Sequence, residues 1–196
     1  MLQTALALVA AYLIGAIPFG VVLTRLAGVG DVRASGSGNI GATNVYRTFG
    51  RRLGLLTLAM DALKGLLPVL LAGSLLDFST SQVAMVAAAA FLGHCYPIYL
   101  GFKGGKGVAT ALGIYLVLSP LSVLGALLLF AAILWHWRYV SLASVSAAGA
   151  IPLLVGVFER SWPLVLATLF ISVMVIVRHR ANIERLRNGT ESKFKA

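Results

Sequence analysis

The chain has little acid, a single cysteine and few charges of either sign. Six Asp and Glu stand against sixteen Lys and Arg in 196 residues, and charged residues make up only 11%. The lone cysteine, Cys95, excludes an intramolecular disulfide framework and any thiolate-built metal site. The acids are scattered, and Asp31, Asp61 and Asp77 do not form the carboxylate cluster that an octahedral Mg²⁺ site needs. The N-terminal stretch MLQTALALVAAYLIGAIPFG lacks the positive n-region and small-residue cleavage site of a secretory signal peptide, so it reads as a retained span.

What the chain does have is apolar length. Hydrophobic residues make up 59% and mean hydropathy is +0.93, against ~45–50% apolar in a soluble domain. A polytopic α-helical membrane protein follows, with no room for a sizeable soluble domain. Runs without Lys or Arg cover residues 4–23, 82–100, 108–135, 139–158 and 162–177, and 53–76 is interrupted by Asp61 and Lys64. No repeat or linker divides them, so 1–196 reads as one domain.

The run 108–135 would rise about 42 Å as one helix, yet it carries Ser119-Pro120 in its middle. Broken there, it gives seven transmembrane helices. Alternation then puts every Lys and Arg except Lys64 and Arg160 on one face. A single crossing would send Arg138 and the basic tail to the opposite face, so the positive-inside rule favours the broken run, with the N-terminus outside and the C-terminus cytoplasmic. The tail lysines, Lys193 and Lys195, then serve orientation only.

Four segments on that face suit anion chemistry. The first, SGSGNIGATNVYR at 35–47, has glycines that let successive N–H groups face one concavity. Ser37, Asn39 and Asn44 add hydrogen bonds, and Arg47 adds a planar donor fork suited to phosphate. Its literal G-x-G-x-x-G signals no dinucleotide fold, because neither strand nor βαβ unit surrounds it.

The second segment, GHCYPIYLGFKGGKGVAT at 93–110, carries Lys103 and Lys106 on a glycine-rich turn that opens into a helix near Val108. Helix dipole, N–H groups and charge together suit an anion there, while two lysines beside a membrane also serve as plain topology signals. Gly107 stands where a Walker A loop needs Ser or Thr. His94 lies in an apolar run and reads as a packed side chain.

The third, WRYVSLAS at 137–144, puts Ser141 and Ser144 one helical turn apart. Close helix packing is an equally good reading for these small residues. The fourth is RHRANIERLRNG at 178–189. There His179 and Asn182 share a helix face, as do Arg178, Asn182 and Arg185. A basic juxtamembrane helix that binds lipid head groups would look the same. Asp61 and Lys64 form an i, i+3 pair, suited to mutual neutralisation or to function.

Taken together, and over nearly the whole chain, these four segments resemble the bacterial acyl-phosphate:glycerol-3-phosphate acyltransferase family. The resemblance implies a seven-helix enzyme of the bacterial inner (cytoplasmic) membrane with its active site on the cytoplasmic side. It also implies acyl phosphate as donor, glycerol 3-phosphate as acceptor, and lysophosphatidic acid and inorganic phosphate as products. No cofactor, metal or nucleic acid is expected, and the membrane lipids and the acyl-phosphate-producing enzyme are the expected partners. Ser37, Arg47 and Lys106 would contact substrate phosphate, with Ser144, His179 and Asn182 completing the pocket. Asn39, Asn44, Lys103 and Ser141 join them as substrate-binding candidates, and Lys106, His179 and Asn182 are the catalytic ones.

The soluble glycerol-phosphate acyltransferases place Asp five residues after His. Here Tyr99, Ser141 and Glu184 follow the three histidines at that spacing. A protein-built triad is therefore not expected, and direct attack on the acyl-phosphate carbonyl is. The proton would go to a substrate phosphate or to His179. A transporter of a phosphorylated solute is the rival, but the matched broken helices or repeats it should show in two halves are not visible.

Overall fold

The structure, a computed structural model, describes residues 1–194, so Lys195 lies outside the described residues. Every regular element among them is helical. The chain forms two compact units, Met1–Val117 and Leu118–Ala196.

In the first unit, α1 (Leu2–Gly15) and α2 (Phe19–Leu26) meet at a 44° bend. The apolar stretch 4–23 reads as one span, but Pro18 disfavours helical geometry at Ile17 and removes an N–H, so the helix breaks there. After a single 3₁₀ turn, Val32–Ala34, come α3 (Ala42–Phe49) and α4 (Arg51–Ser74). Next is α5 (Thr80–Cys95), started by a capping box in which Ser79 Oγ accepts from Gln82 N–H and the Gln82 side chain accepts from Ser79 N–H. Gln82 Nε2 also donates to Thr4 Oγ1 at 2.7 Å, joining α5 to α1. Farther along this pair, a Cβ on Gly15 would strike the Ala90 backbone and one on Gly93 the Tyr12 carbonyl. Glycine thus allows the backbone contact through which membrane helices pack closely. A 3₁₀ turn, Ile98–Leu100, and the segment 101–107 lead to α6 (Val108–Leu118).

The second unit begins at the break expected at Ser119-Pro120. Pro120 is the first residue of α7 (Pro120–Trp137), and Ser119 Oγ lies 2.7 Å from Ser122 Oγ. Then follow α8 (Val140–Glu159), α9 (Trp162–Arg178) and α10 (Arg180–Arg187). The last two bend by 55° at His179. Leu121, Leu124, Leu128 and Trp135 on α7 are exposed, as befits a lipid-facing surface.

Four helices, α4, α5 with its following turn, α7 and α8, are long and apolar enough to cross a membrane. The number is up to six if each bent pair is one span. The seventh expected crossing would be α6, whose 11 residues rise only about 16 Å.

Candidate functional site

In the first unit, the loop 35–41 is shaped from within. Gly36 and Gly38 take positive φ, +59° and +70°. Asn44, buried at the start of α3, accepts the Ser37 N–H on Oδ1 at 2.9 Å. Its Nδ2 donates to the carbonyls of Asn39 at 2.9 Å, Ser35 at 3.1 Å and Val32 at 3.3 Å. Asn39 Oδ1 accepts the Gly41 N–H at 2.9 Å, just before α3 begins. Both asparagines therefore hold loop backbone. Ser37 is exposed on the loop they hold, and Arg47 is exposed on α3.

Two cations near this loop are engaged by an acid. Asp31 accepts from Arg25 and Arg33, each ion pair at 2.7 Å. The Arg33 hydrogen bonds, then that of Arg25, overcome partial desolvation and hold the Asp31 carboxyl well below the usual carboxylate range.

The second basic turn lies against α5. Gly105 N–H donates to the His94 carbonyl at 3.1 Å, Gly107 has φ +82°, and the Gly107 carbonyl accepts the Ala111 N–H at 2.7 Å as α6 begins. Lys106, half-buried, sits one residue before that carbonyl, while Lys103 is exposed. The first N–H groups of α6 thus follow directly on a cation.

In the second unit, His179 ends α9 and precedes α10 at the bend, buried at 3% exposure. Its Nδ1 lies 2.8 Å from the Val175 carbonyl. A carbonyl can only accept, so Nδ1 carries a proton, and in the neutral ring that tautomer places the lone pair on Nε2. Because the helix breaks at His179, Arg178 does not continue the face of Asn182 and Arg185, contrary to the spacing argument. No Gly or Pro marks that break.

Asn182 is buried and meets a partner the sequence did not reveal. Its Nδ2 donates to Glu191 Oε1 at 2.7 Å, Ser141 Oγ donates to the same oxygen at 2.7 Å, and Arg185 Nε donates to Oε2 at 2.7 Å. Ser144 Oγ turns back to the Val140 carbonyl at 2.8 Å, so Ser141 and Ser144 use their hydroxyls differently. Partial burial pushes the Glu191 carboxyl up. The hydrogen bonds from Ser141, Asn182 and Arg185, with the Arg185 charge, outweigh it and hold Glu191 below the usual range.

Glu191 reaches this position through a chain reversal. Gly189 has φ +68°, its N–H donates to the Leu186 carbonyl at 3.3 Å, and Thr190 N–H donates to Arg185 at 2.8 Å, a Schellman stop. Farther on, Phe194 N–H donates to the Arg138 carbonyl at 2.6 Å and Lys193 Nζ sits 5.9 Å from the Tyr139 ring centroid.

A cleft of about 630 Å³ on the α9–α10 elbow is lined by Ile176, Arg180, Ile183 and Arg187 among others, and by none of the expected residues. Within unit 1, Asn39 and Asn44 organise the loop that displays Ser37, and Arg47 follows on α3. Within unit 2, Ser141 and Asn182 meet on one carboxylate.

The family model for glycerol-3-phosphate acyltransferase matches residues 5–189. A glycerol-3-phosphate acyltransferase of Syntrophotalea carbinolica is 67% identical over 189 residues, 96% of each chain, and one of Geobacter sulfurreducens is 60% identical over the full length of both. The crystal structure of PlsY, an integral membrane glycerol 3-phosphate acyltransferase, in its glycerol 3-phosphate form has a TM-score of 0.93 and 41% identity. The match covers 98% of this chain and 96% of that one. The lysophosphatidic acid form scores 0.91 at 39% identity. On its sequence and fold, the chain belongs to the glycerol-3-phosphate acyltransferase family of integral membrane enzymes.

Proposed function

We propose that this enzyme moves a fatty acyl group from acyl phosphate to the 1-hydroxyl of glycerol 3-phosphate, giving lysophosphatidic acid and inorganic phosphate, the first step of phospholipid synthesis. The observation that carries the reading is the Lys106 turn, a half-buried cation on a glycine backbone at the opening of α6. Both substrates carry phosphate, and relatives of the same fold are described in glycerol 3-phosphate and lysophosphatidic acid forms.

In this reaction the acceptor hydroxyl oxygen attacks the acyl carbonyl carbon. The C–O bond to phosphate then breaks, and phosphate leaves with the electron pair. Arg47, Lys106 and loop N–H groups stabilise the charge that develops on phosphate and carbonyl oxygen. Ser37 and Lys103 bind substrate, while Asn39 and Asn44 shape the loop. Ser141, Ser144 and Asn182 orient the acceptor, and His179 Nε2 or a substrate phosphate oxygen takes the hydroxyl proton.

The two units work as one domain that crosses the bacterial inner membrane seven times, with α6 in a thinned region, the N-terminus outside and the active site cytoplasmic. Membrane lipids surround it, and the enzyme that makes acyl phosphate is a contact partner.

The test supplies purified protein with glycerol 3-phosphate and palmitoyl phosphate, then measures phosphate release and lipid product. Acceptor-dependent release is expected. Its absence sinks the assignment.

A further inference from the structure

The Asp61–Lys64 pair lies in the middle of α4, away from both basic loops in sequence, and the chemistry above makes no use of it. Its exposure is nearly nil, 1% for Asp61 and 2% for Lys64. Lys64 Nζ lies 2.7 Å from Asp61 Oδ1 and donates to the Ile17 carbonyl, also at 2.7 Å. That carbonyl belongs to the α1–α2 break, where an interrupted helix leaves backbone acceptors for other groups to satisfy.

On the other side of Asp61 stands His94, 3% exposed, with Nδ1 3.8 Å from the same Oδ1. Its opposite ring edge carries the basic turn, since a Cβ on Gly105 would strike His94 Nε2 and one on Gly104 the His94 carbonyl. The Gly105 N–H bond to the His94 carbonyl fixes the turn to the same residue. The start of α6 is pressed onto the helix of the ion pair: a Cβ on Gly65 would meet the Thr110 carbonyl, and one on Gly113 the Ala62 carbonyl. The residues flanking Lys106 are thus seated on His94 before it and on α4 after it.

A buried ion pair is weak as a source of stability, because desolvation offsets much of its attraction and apolar replacements of similar size are often neutral. It is strongly directional, however. We propose that Asp61, Lys64 and His94 are positioning residues that hold the 104–107 turn, and with it Lys106, at the distance phosphate requires. This inference rests on the reading of Lys106 as a phosphate-binding residue.

The experiment uses the full chain in lipid or detergent, with Asp61→Leu and Lys64→Met combined, His94→Leu alone, and Ser74→Ala as control. Hydrogen exchange over residues 101–110 is measured beside KM and kcat for glycerol 3-phosphate. In the paired variant and in His94→Leu, exchange speeds up and KM rises, each about tenfold or more, while the control matches the parent. A helix-stabilising role alone would lower the melting temperature and leave the loop's relative protection and KM unmoved. Unchanged loop exchange in a folded variant overturns the inference, as does faster exchange with parental kinetics. Should the paired variant not fold, His94→Leu, which keeps the ion pair, decides by the same readouts. A parent inactive with acyl phosphate removes the proposed function instead, and the exchange result still reports whether these residues hold the turn.

Discussion

Asn182 Nδ2 donates to Glu191 Oε1 at 2.7 Å, and this bond ties a residue of the α10 helix to the tail that follows it. Since Ser141 Oγ shares that oxygen, one carboxylate fixes the rotamers of two candidate substrate-binding side chains on α8 and α10. Replacing Glu191 by Gln puts an amide where the donors converge, and the Arg185 charge loses its partner. We expect kcat to fall about tenfold and stability to fall by about 1–3 kcal/mol, the cost of leaving buried donors imperfectly paired. Steady-state kinetics and thermal unfolding check both numbers. Parental turnover would show that Ser141 and Asn182 do not depend on the tail.

The same carboxylate sets a pH dependence. Its folded pKa is depressed below the ordinary value of 4.5, so its contribution to stability is complete above that value and is lost as pH falls through the folded pKa. The stability advantage of the parent over Glu191→Gln should therefore be full at pH 6 and shrink below pH ~4.5. Paired melting curves across that range test it. A constant difference would place the effect elsewhere.

How much could be read beforehand follows local chemistry. The break at Ser119 was legible because proline restricts its predecessor. The same signal at Pro18 was hidden inside a continuous apolar run, where hydropathy says span and only backbone sterics say bend. Asp61 and Lys64 were visible as a pair from their spacing, but their hold on Ile17 and their nearness to His94 arise from helices brought together by tertiary packing. Glu191 was the hardest to see, since its role needs a left-handed glycine, a reversed chain and donors 50 and 9 residues away.

Asn44 separates loop shape from chemistry. Its amide is committed to four backbone groups, three of the loop and one of the 3₁₀ turn before it, so Asn44→Ala leaves buried and partly buried N–H and C=O groups without their partner. A loss of about 1–3 kcal/mol is expected, with KM for glycerol 3-phosphate rising more than kcat falls. Denaturant unfolding and initial-rate kinetics measure the two effects. A pure kcat defect with unchanged stability would make Asn44 a participant in the chemical step.

Lys106 and His179 should fail in different ways if their roles are as proposed. Removing the Lys106 charge deprives the developing phosphate and oxyanion of a stabilising group, so Lys106→Ala should lower kcat/KM by about 10²–10³-fold. His179→Ala removes a proton acceptor whose tautomer is set by the Val175 carbonyl, and kcat should fall about 10²-fold while acceptor affinity stays within about twofold. Direct binding of glycerol 3-phosphate, measured by calorimetry beside the kinetics, tells the two apart. If His179→Ala instead weakens binding and leaves turnover intact, the hydroxyl proton passes to a substrate phosphate, and His179 serves only to bind the acceptor.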